Sequence, residues 1–208
     1  APFLATSEEA VKDSKPNWRV RLDGQVEKEL LYGTVLAKDL IPFMVRKLSL
    51  VILPLKETSH RDLKILNATA LLDDEHEHAH DWFCKAEKLW EERRKGDSMT
   101  LQETLNFNGK LTEQNLHAKF IVLYNKSGTN LSAAMLAPKE TKKIGELPIQ
   151  GFVADNVCYR YYAASEEEAA YLVGILNSSI VNDAIKPYQP EGLMGERDIH
   201  RRPFEACA

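Results

Sequence analysis

The first 70 residues alternate between apolar and polar positions in short runs, and these runs predict β-strands. Segment 18–22 (WRVRL) alternates with a period of two, as a half-buried strand does. Asp23-Gly24 indicates a turn after it, and segment 26–36 predicts a second strand that is broken at Gly33. Segment 48–55, rich in Leu, Val and Ile, predicts a buried strand that ends at its proline. Residues 1–72 are therefore predicted to be mostly β.

Helical spacing replaces this alternation from residue 73 to residue 95. A charged segment carries an apolar stripe at positions i, i+1, i+4, i+7 and i+8, which predicts an amphipathic helix; its members are Trp82, Phe83, Ala86, Leu89 and Trp90. Gly96-Asp97 predicts the end of this helix. A short capped helix is predicted next, with Ser98 or Thr100 as its cap and Glu103 as the partner of that cap.

A hairpin and a pair of helices are predicted in the last third of the chain. Segment 117–124 (HAKFIVLY) predicts a strand, residues 125–130 a turn, and residues 131–137 the returning strand. Segment 157–162 predicts a further strand, preceded by Phe152-Val153 and a turn.

Ser165 with Glu168 forms a capping-box sequence in front of a long apolar run that ends near Ile185. Residues 177–179 interrupt that run and predict a second helix with its own cap, and the tail 188–208 is predicted to be a loop. Strands and helices that interleave irregularly are typical of the α+β class, and we expect a mixed or antiparallel sheet with packed helices.

Domain organisation follows from the same pattern. We expect a mostly β segment at residues 1–72 and a segment of helix, hairpin and C-terminal helices at residues 73–208, together forming one compact α+β unit. The chain begins with Ala1 rather than methionine, which suggests a piece excised from a longer protein.

Composition removes several functional classes. With 44% apolar and 28% charged residues, the 208-residue chain matches a globular protein rather than a disordered or fibrous one. Its longest apolar run is six residues, from Leu50 to Leu55, whereas a transmembrane helix needs roughly 20. A net charge of −4 argues against a uniformly basic surface but allows a local basic patch. Three widely spaced cysteines without a Cys-x-x-Cys pair favour a reducing cytoplasm.

Sequence motifs for catalysis are weak. His76, His78 and His80 form the densest group of possible metal ligands, but His-x-His spacing on a helix sends the two side chains in divergent directions. No Gly-x-Ser-x-Gly elbow, dinucleotide loop or P-loop occurs. Cys84, beside two aromatic residues, is interpreted as core packing. We therefore assign no catalytic residue and no metal ligand.

Two polar loops offer groups suited to nucleic acid. Segment 106–115 mixes amides with a lysine, and residues 108–126 contain three lysines and one acidic residue, a local charge of +2. Segment 192–203 contains two glycines, three arginines and a histidine. Amide and guanidinium groups can pair with base edges, and cations can bind phosphates.

These segments carry a resemblance to a known family. Segment 161–178 (YYAASEEEAAYLVGILNS) resembles a helix of the target-recognition domains of adenine-specific DNA methyltransferases and of restriction enzymes fused to them. Segment 192–204 (GLMGERDIHRRPF) resembles the tail that follows this helix, and segments 108–114 and 124–134 resemble parts of the large stand-alone members. The resemblance covers residues 82–208 well and the first 70 only loosely.

The resemblance implies that this chain selects the DNA sequence and does not itself methylate. The family's cofactor loop and Asn-Pro-Pro-Tyr-type motif are both missing, so S-adenosylmethionine is expected on a catalytic domain elsewhere in the same parent chain. The implied setting is a prokaryotic restriction-modification system in the cytoplasm, with double-stranded DNA as partner. Candidate phosphate contacts are Lys126, Lys186, Arg201 and Arg202, and candidate base contacts are Lys110, Gln114, Asn115, Arg197 and His200.

Two other interpretations remain open from the sequence. In the first, the chain is a protein-docking module anchored by Trp82 and Trp90. In the second, it is a metal-dependent hydrolase that uses His76, His78 and His80.

Overall fold

The computed structural model describes residues 1–96, 99–189 and 199, and it combines helices with antiparallel strands in small sheets. This confirms the predicted α+β class. The helices are α1 (Glu8–Asp13), α2 (Ala68–Asp73), α3 (Glu77–Arg93), α4 (Leu101–Leu105), α5 (Glu166–Leu176) and α6 (Ser179–Ile185). The strands are β1 (Phe3–Ala5), β2 (Asp23–Gln25), β3 (Leu31–Thr34), β4 (Leu40–Ile41), β5 (Met44–Val45), β6 (Ser49–Ile52), β7 (Leu55–Glu57), β8 (Leu63–Ile65), β9 (Phe120–Asn125), β10 (Ala133–Leu136), β11 (Lys143–Ile144), β12 (Leu147–Pro148) and β13 (Cys158–Ala163).

The chain divides into two compact units. The first contains Ala1–Leu31 and Ile52–Gln114, and the second contains Tyr32–Val51 and the described residues from Asn115 onward. Helix α2 spans the predicted boundary at residue 72, and both α2 and α3 belong to the first unit. No helix among the described residues combines the length and the apolar character needed to cross a lipid bilayer.

In the first unit, the amphipathic helix predicted at residues 73–95 is confirmed as α3. Ala79, Trp82 and Phe83 are its buried residues. The cap of α4 is also confirmed, because the Thr100 hydroxyl accepts a hydrogen bond from the Glu103 N–H while the Glu103 carboxylate accepts one from the Thr100 N–H at 2.8 Å.

The strand predicted at 18–22 is wrong. Pro16–Trp18 forms a 3₁₀ turn instead, since Pro16 fixes the backbone at its first position. The Trp18 ring packs on Trp90 with centroids 4.9 Å apart, so tertiary packing outweighs the local alternation. Strand β2 begins at Asp23, where a turn was predicted, and it pairs with β1.

Gly33 does not break its strand, contrary to the sequence-based expectation. It lies inside β3, donates its N–H to the Gly151 carbonyl at 2.9 Å and accepts from the Val153 N–H at 2.8 Å. A Cβ at Gly33 would meet Ile149 at 3.0 Å and Ile144 at 3.3 Å. Position 33 is therefore a glycine because the side chains of Ile144 and Ile149 leave little room for a Cβ.

The centre of the second unit is a three-stranded antiparallel sheet in the order β10-β9-β13. The hairpin predicted across residues 117–137 is confirmed as β9 and β10, with Tyr124 opposite Ala133. Successive β9 residues point to opposite faces, as the pleat requires. Val122 and Tyr124 pack with α5 and α6, whereas Ile121 and Leu123 pack in a separate cluster with Phe152 and residues of segment 35–48.

Helices α5 and α6 begin at the two caps that the sequence predicts. The Ser165 hydroxyl accepts from the Glu168 N–H at 3.2 Å, and the Ser178 hydroxyl accepts from the Val181 N–H at 3.3 Å. In a capping box, the Glu168 carboxylate would accept from the Ser165 N–H. Here it accepts instead from the Ala164 N–H at 2.7 Å and from the Tyr161 hydroxyl at 2.7 Å. These two bonds lower the pKa of Glu168, the Tyr161 bond most strongly.

Asn177, between α5 and α6, joins the helices to the edge of the sheet. Its Oδ1 accepts from the Ala133 N–H at 2.9 Å, and its Nδ2 donates to the Ala133 carbonyl at 2.8 Å and to the Val173 carbonyl at 3.0 Å. The neighbouring Asn182 accepts from the Leu131 N–H at 2.8 Å. Two amides therefore bind backbone groups at the first residue of edge strand β10 and two residues before it.

We expect Asn177→Ala to lower the free energy of unfolding by about 1–3 kcal/mol, because it leaves the part-buried N–H of Ala133 without its partner. Urea denaturation followed by circular dichroism measures this loss. Ser179→Ala is the control, since Ser179 is exposed and close in sequence, and it should stay within about 0.5 kcal/mol of the parent. Equal stability of the two variants would show that Asn177 does not hold the helices to the sheet.

Candidate nucleic-acid interface

Two of the predicted phosphate-binding lysines meet around the β9–β10 turn, residues 125–130. Lys186 follows α6, and its ammonium donates to the Thr129 carbonyl and to Asn130 Oδ1, the latter at 2.9 Å. Lys126 lies in the turn itself and donates to Asn156 Oδ1 at 2.8 Å. These bonds to amide and carbonyl oxygens position both ammonium groups at the turn.

The backbone of this turn is held by internal hydrogen bonds. Asn125 Nδ2 donates to the Ser127 carbonyl at 2.8 Å and to the Asn130 carbonyl at 3.1 Å, while its Oδ1 accepts from the Ser132 N–H at 2.8 Å. Gly128 adopts a φ of +137°, which residues with a side chain rarely adopt. The sequence therefore forms a turn with a fixed shape, which is what a loop needs in order to present cations in register with phosphates.

The Lys126 side chain also packs on an aromatic ring. Its ammonium lies 4.8 Å from the centroid of the Tyr159 ring, a cation–π distance. Tyr159 in turn stacks on the buried Tyr124, with ring centroids 5.1 Å apart. The Lys126 side chain therefore packs against a residue of strand β13, at the end of the sheet next to the turn.

One residue of the arginine-rich tail docks at the same turn. Ile199 is fully buried in the cluster formed by the β9 face and helices α5 and α6, and its N–H donates to the Lys126 carbonyl at 2.7 Å. The described residues thus bring together one part of the lysine-rich segment and one residue of the predicted tail.

Of the seven remaining predicted contacts, three lie among the described residues and four do not. Lys110 and Gln114 belong to the first unit, and Asn115 to the second. Gln114 is buried and its Nε2 donates to the Lys110 carbonyl at 2.8 Å, so that donor already has a partner within the loop. Asn115 is exposed, and its N–H donates to the Tyr162 hydroxyl at 2.9 Å. Four further candidates lie outside the described residues: Arg197, His200, Arg201 and Arg202.

Asp155 and Cys158 modify the electrostatics near Lys126. Burial raises the pKa of the Cys158 thiol to about 11, with a further increase from Asp155 and a smaller opposing effect from Lys126. A carboxylate therefore lies close enough to offset part of the positive charge at this side of the turn. Cys158 is buried and protonated at neutral pH, which fits a packing role.

The histidine cluster forms a local network on α3. His76 occupies the N-cap position, while His80 Nδ1 lies 3.2 Å from Asp81 Oδ1 and His80 Nε2 lies 3.3 Å from the Cys84 sulfur. In the part of the chain that the structure describes, no three His, Cys, Asp or Glu side chains gather as a metal-binding group.

Sequence reasoning missed the His80–Cys84 contact, although its i, i+4 spacing on a helix is the signal that would reveal it. Burial raises the Cys84 pKa, followed by the charges of Glu87 and Asp81. The thiol form is therefore favoured over the thiolate, which is the opposite of what an activated nucleophile needs.

The two tryptophans considered as docking anchors pack within the first unit. Trp82 is buried, and Trp90 packs on Trp18 and donates its indole N–H to the Met99 carbonyl at 2.9 Å. Their rings are thus already in contact with the chain itself, which weakens the case for an anchor that enters a partner's pocket.

No family model matches this chain, and a search of curated proteins finds no significant similarity.

The raised pKa of Cys158 predicts a specific alkaline loss of stability. Because folding favours the thiol over the thiolate, the stabilisation is complete below the ordinary value of 9.0 and is lost as pH rises towards about 11. We expect the free energy of unfolding to fall by about 2 kcal/mol between pH 8.5 and 11 on account of this group. Urea titrations across that range measure the loss.

Cys158→Ala should remove this component of the alkaline slope, and Cys84→Ala, in the other unit, should retain most of it. An identical pH dependence in the parent and in Cys158→Ala would contradict the assignment.

Proposed function

We propose that this chain recognises double-stranded DNA as the specificity domain of an adenine-specific DNA methyltransferase in a restriction-modification system. The observation that carries the proposal is the contact of Ile199 with the Lys126 backbone, beside the turn that Lys186 also contacts. Two segments that resemble the family at distant places in the sequence therefore converge on one end of one sheet.

Phosphate binding is the role that the turn supports best. Lys126 and Lys186 are held at a rigid turn by hydrogen bonds to amide and carbonyl oxygens, and an ammonium group in a fixed position can bind a phosphate. Arg201 and Arg202, in the same sequence segment as Ile199, complete the proposed set of phosphate contacts. These contacts would orient the duplex without selecting its sequence.

Base recognition would come from donor groups in the two polar segments 106–115 and 192–203. Arg197 and His200 flank Ile199 in the sequence, and Asn115 is exposed at the beginning of the second unit's C-terminal segment. Lys110 and Gln114 complete the proposed set, although Gln114 would have to exchange its bond to the Lys110 carbonyl for one to a base edge.

The Leu-Asn-Ser sequence at the centre of the family resemblance has a structural explanation in this fold. Leu176 is buried, Asn177 binds both backbone groups of Ala133, and Ser178 caps α6. All three side chains thus support the hairpin whose turn carries Lys126. Such a role for the motif supports the proposal, because selectivity requires loops held in place by a rigid support.

Methyl transfer itself is assigned to a catalytic domain outside this chain. Binding of S-adenosylmethionine in this family uses a glycine-containing loop, and in segments 1–96 and 99–189 no glycine lies at the start of a helix that follows a strand. We therefore place the cofactor on the catalytic domain. The proposed setting is the cytoplasm of a prokaryote, with no reaction carried by this chain alone.

Removal of the two lysines should weaken DNA binding equally on all sequences. We expect Lys126→Ala with Lys186→Ala to reduce the slope of log K against log salt by up to about 2, because roughly 0.9 counterions are released for each phosphate contact. Fluorescence anisotropy with unrelated 30-base-pair duplexes at several salt concentrations measures both quantities.

The charge-matched control replaces Lys12 and Lys139, two exposed lysines that are not part of the turn. It should leave the slope close to that of the parent. Parent binding that does not depend on salt would contradict the proposal and favour an apolar protein-docking surface.

Arg197→Ala tests base recognition separately from phosphate binding. We expect a loss of about 1–3 kcal/mol on the preferred sequence and a relaxed preference at one base pair, because arginine pairs with guanine through two hydrogen bonds. Selection from a randomised duplex library measures the preference of the parent and of the variant. Equal weakening on every sequence would assign Arg197 to a phosphate instead.

A further inference from the structure

A short hairpin in the second unit presents two apolar side chains to solvent. Strands β4 and β5 pair through Leu40–Val45 and Ile41–Met44, so that only Pro42 and Phe43 form the turn. Phe43 is 65% exposed and Met44 is 52% exposed. We call Pro42, Phe43 and Met44 the apolar tip.

The backbone of the apolar tip is constrained in an unfavourable conformation. Phe43 has a φ of +67°, a left-handed value that Gly or Asn adopts far more readily than an aromatic residue. Its N–H donates to the Ala133 carbonyl at 2.8 Å, which fixes the turn against strand β10. A mostly exposed aromatic ring in a strained position brings little burial energy, and strain of this kind concentrates at functional sites.

The sequence on either side of the apolar tip is positively charged. Segment 37–47 contains Lys38, Arg46 and Lys47 against the single carboxylate of Asp39, a net charge of +2 in a chain of net charge −4. Asp39 lies 3.7 Å from the Arg46 guanidinium, which also donates to the Lys38 carbonyl. A projecting apolar wedge with basic flanks is complementary to stacked bases between phosphate chains rather than to an apolar groove of a protein.

The apolar tip is anchored at the same end of the sheet as the lysine-bearing turn. Ala133, whose carbonyl holds Phe43, is the first residue of β10 and follows Asn130 by three positions. Three residues of chain span at most about 11 Å, so the anchor of the tip and the turn are near neighbours. One stretch of DNA backbone can therefore contact both.

We propose that the apolar tip inserts Phe43 and Met44 between two adjacent base pairs of bound DNA and partly unstacks that step. This inference rests on the proposed function, since it requires a duplex held by the turn at residues 125–130. Lys38, Arg46 and Lys47 bind the phosphates on either side of the opened step, and the constrained backbone keeps the ring extended before DNA arrives. The duplex bends at the step where the ring enters.

Duplexes of 30 base pairs that carry 2-aminopurine at successive positions, together with a dye pair at their ends, test this inference. The parent chain is expected to raise 2-aminopurine fluorescence at one step and to shorten the end-to-end distance. Phe43→Asn should remove both signals and weaken binding about tenfold, because stacking of an aromatic ring on a base is worth about one such factor or more. Asn suits the left-handed backbone, so the hairpin is expected to stay folded.

Two further variants complete the experiment. Phe43→Tyr retains a ring that can stack and should preserve both signals. Phe3→Asn removes a ring of similar exposure, 67%, from the other unit and should leave both signals unchanged. Loss of near-native stability in Phe43→Asn would be detected by urea denaturation, in which case Phe43→Gly, which also suits a positive φ, takes its place.

The outcomes separate this inference from the proposed function. Salt-dependent DNA binding in which Phe43→Asn leaves fluorescence, bending and affinity unchanged overturns the wedge and leaves the proposed function standing. Absence of salt-dependent binding by the parent chain overturns both. Loss of affinity in Phe43→Asn without any unstacking in the parent also overturns the wedge, and it assigns the ring to a groove contact.

Discussion

The arrangement of the second unit depends on the backbone N–H and carbonyl of Ala133. Both groups bind the Asn177 amide, and the carbonyl also accepts the Phe43 N–H. One residue of an edge strand therefore connects the helices α5 and α6, the central sheet and the β4–β5 hairpin. Because these groups are part-buried, the loss of any one partner leaves a polar group that water cannot easily reach.

This connection relates the fold to the proposed DNA surface. The helices hold the start of β10, β10 holds the turn at residues 125–130, and Ile199 docks on that turn through the Lys126 carbonyl. Cations near the turn and the apolar tip thus share a support that is mostly made of backbone hydrogen bonds. A binding surface of this kind has little conformational entropy to lose when the ligand arrives.

Local signals in the sequence predicted the elements that local physics determines. The caps at Ser165 and Ser178 and the β9–β10 hairpin required only hydrogen bonds and pairing between residues close in sequence. Prediction failed where a distant residue decides the conformation. Trp18 turns away from a strand because it packs on Trp90, 72 positions later, and Gly33 sits inside a strand because Gly151 approaches it.

The candidate site follows the same division. The lysines at 126 and 186 were identifiable from residue type and resemblance, but their meeting at one turn depends on how α6 packs. Phe43 escaped notice because nothing in the local pattern around Pro42 indicates a positive φ at an aromatic residue. The anchoring of the second unit at Ala133 has an evolutionary consequence. Main-chain atoms are the acceptors of Asn177 and of Phe43, so mutations can alter the side chains exposed on the turn and the tip while the frame stays intact. A lineage could thereby change what its loops select without having to evolve a new core.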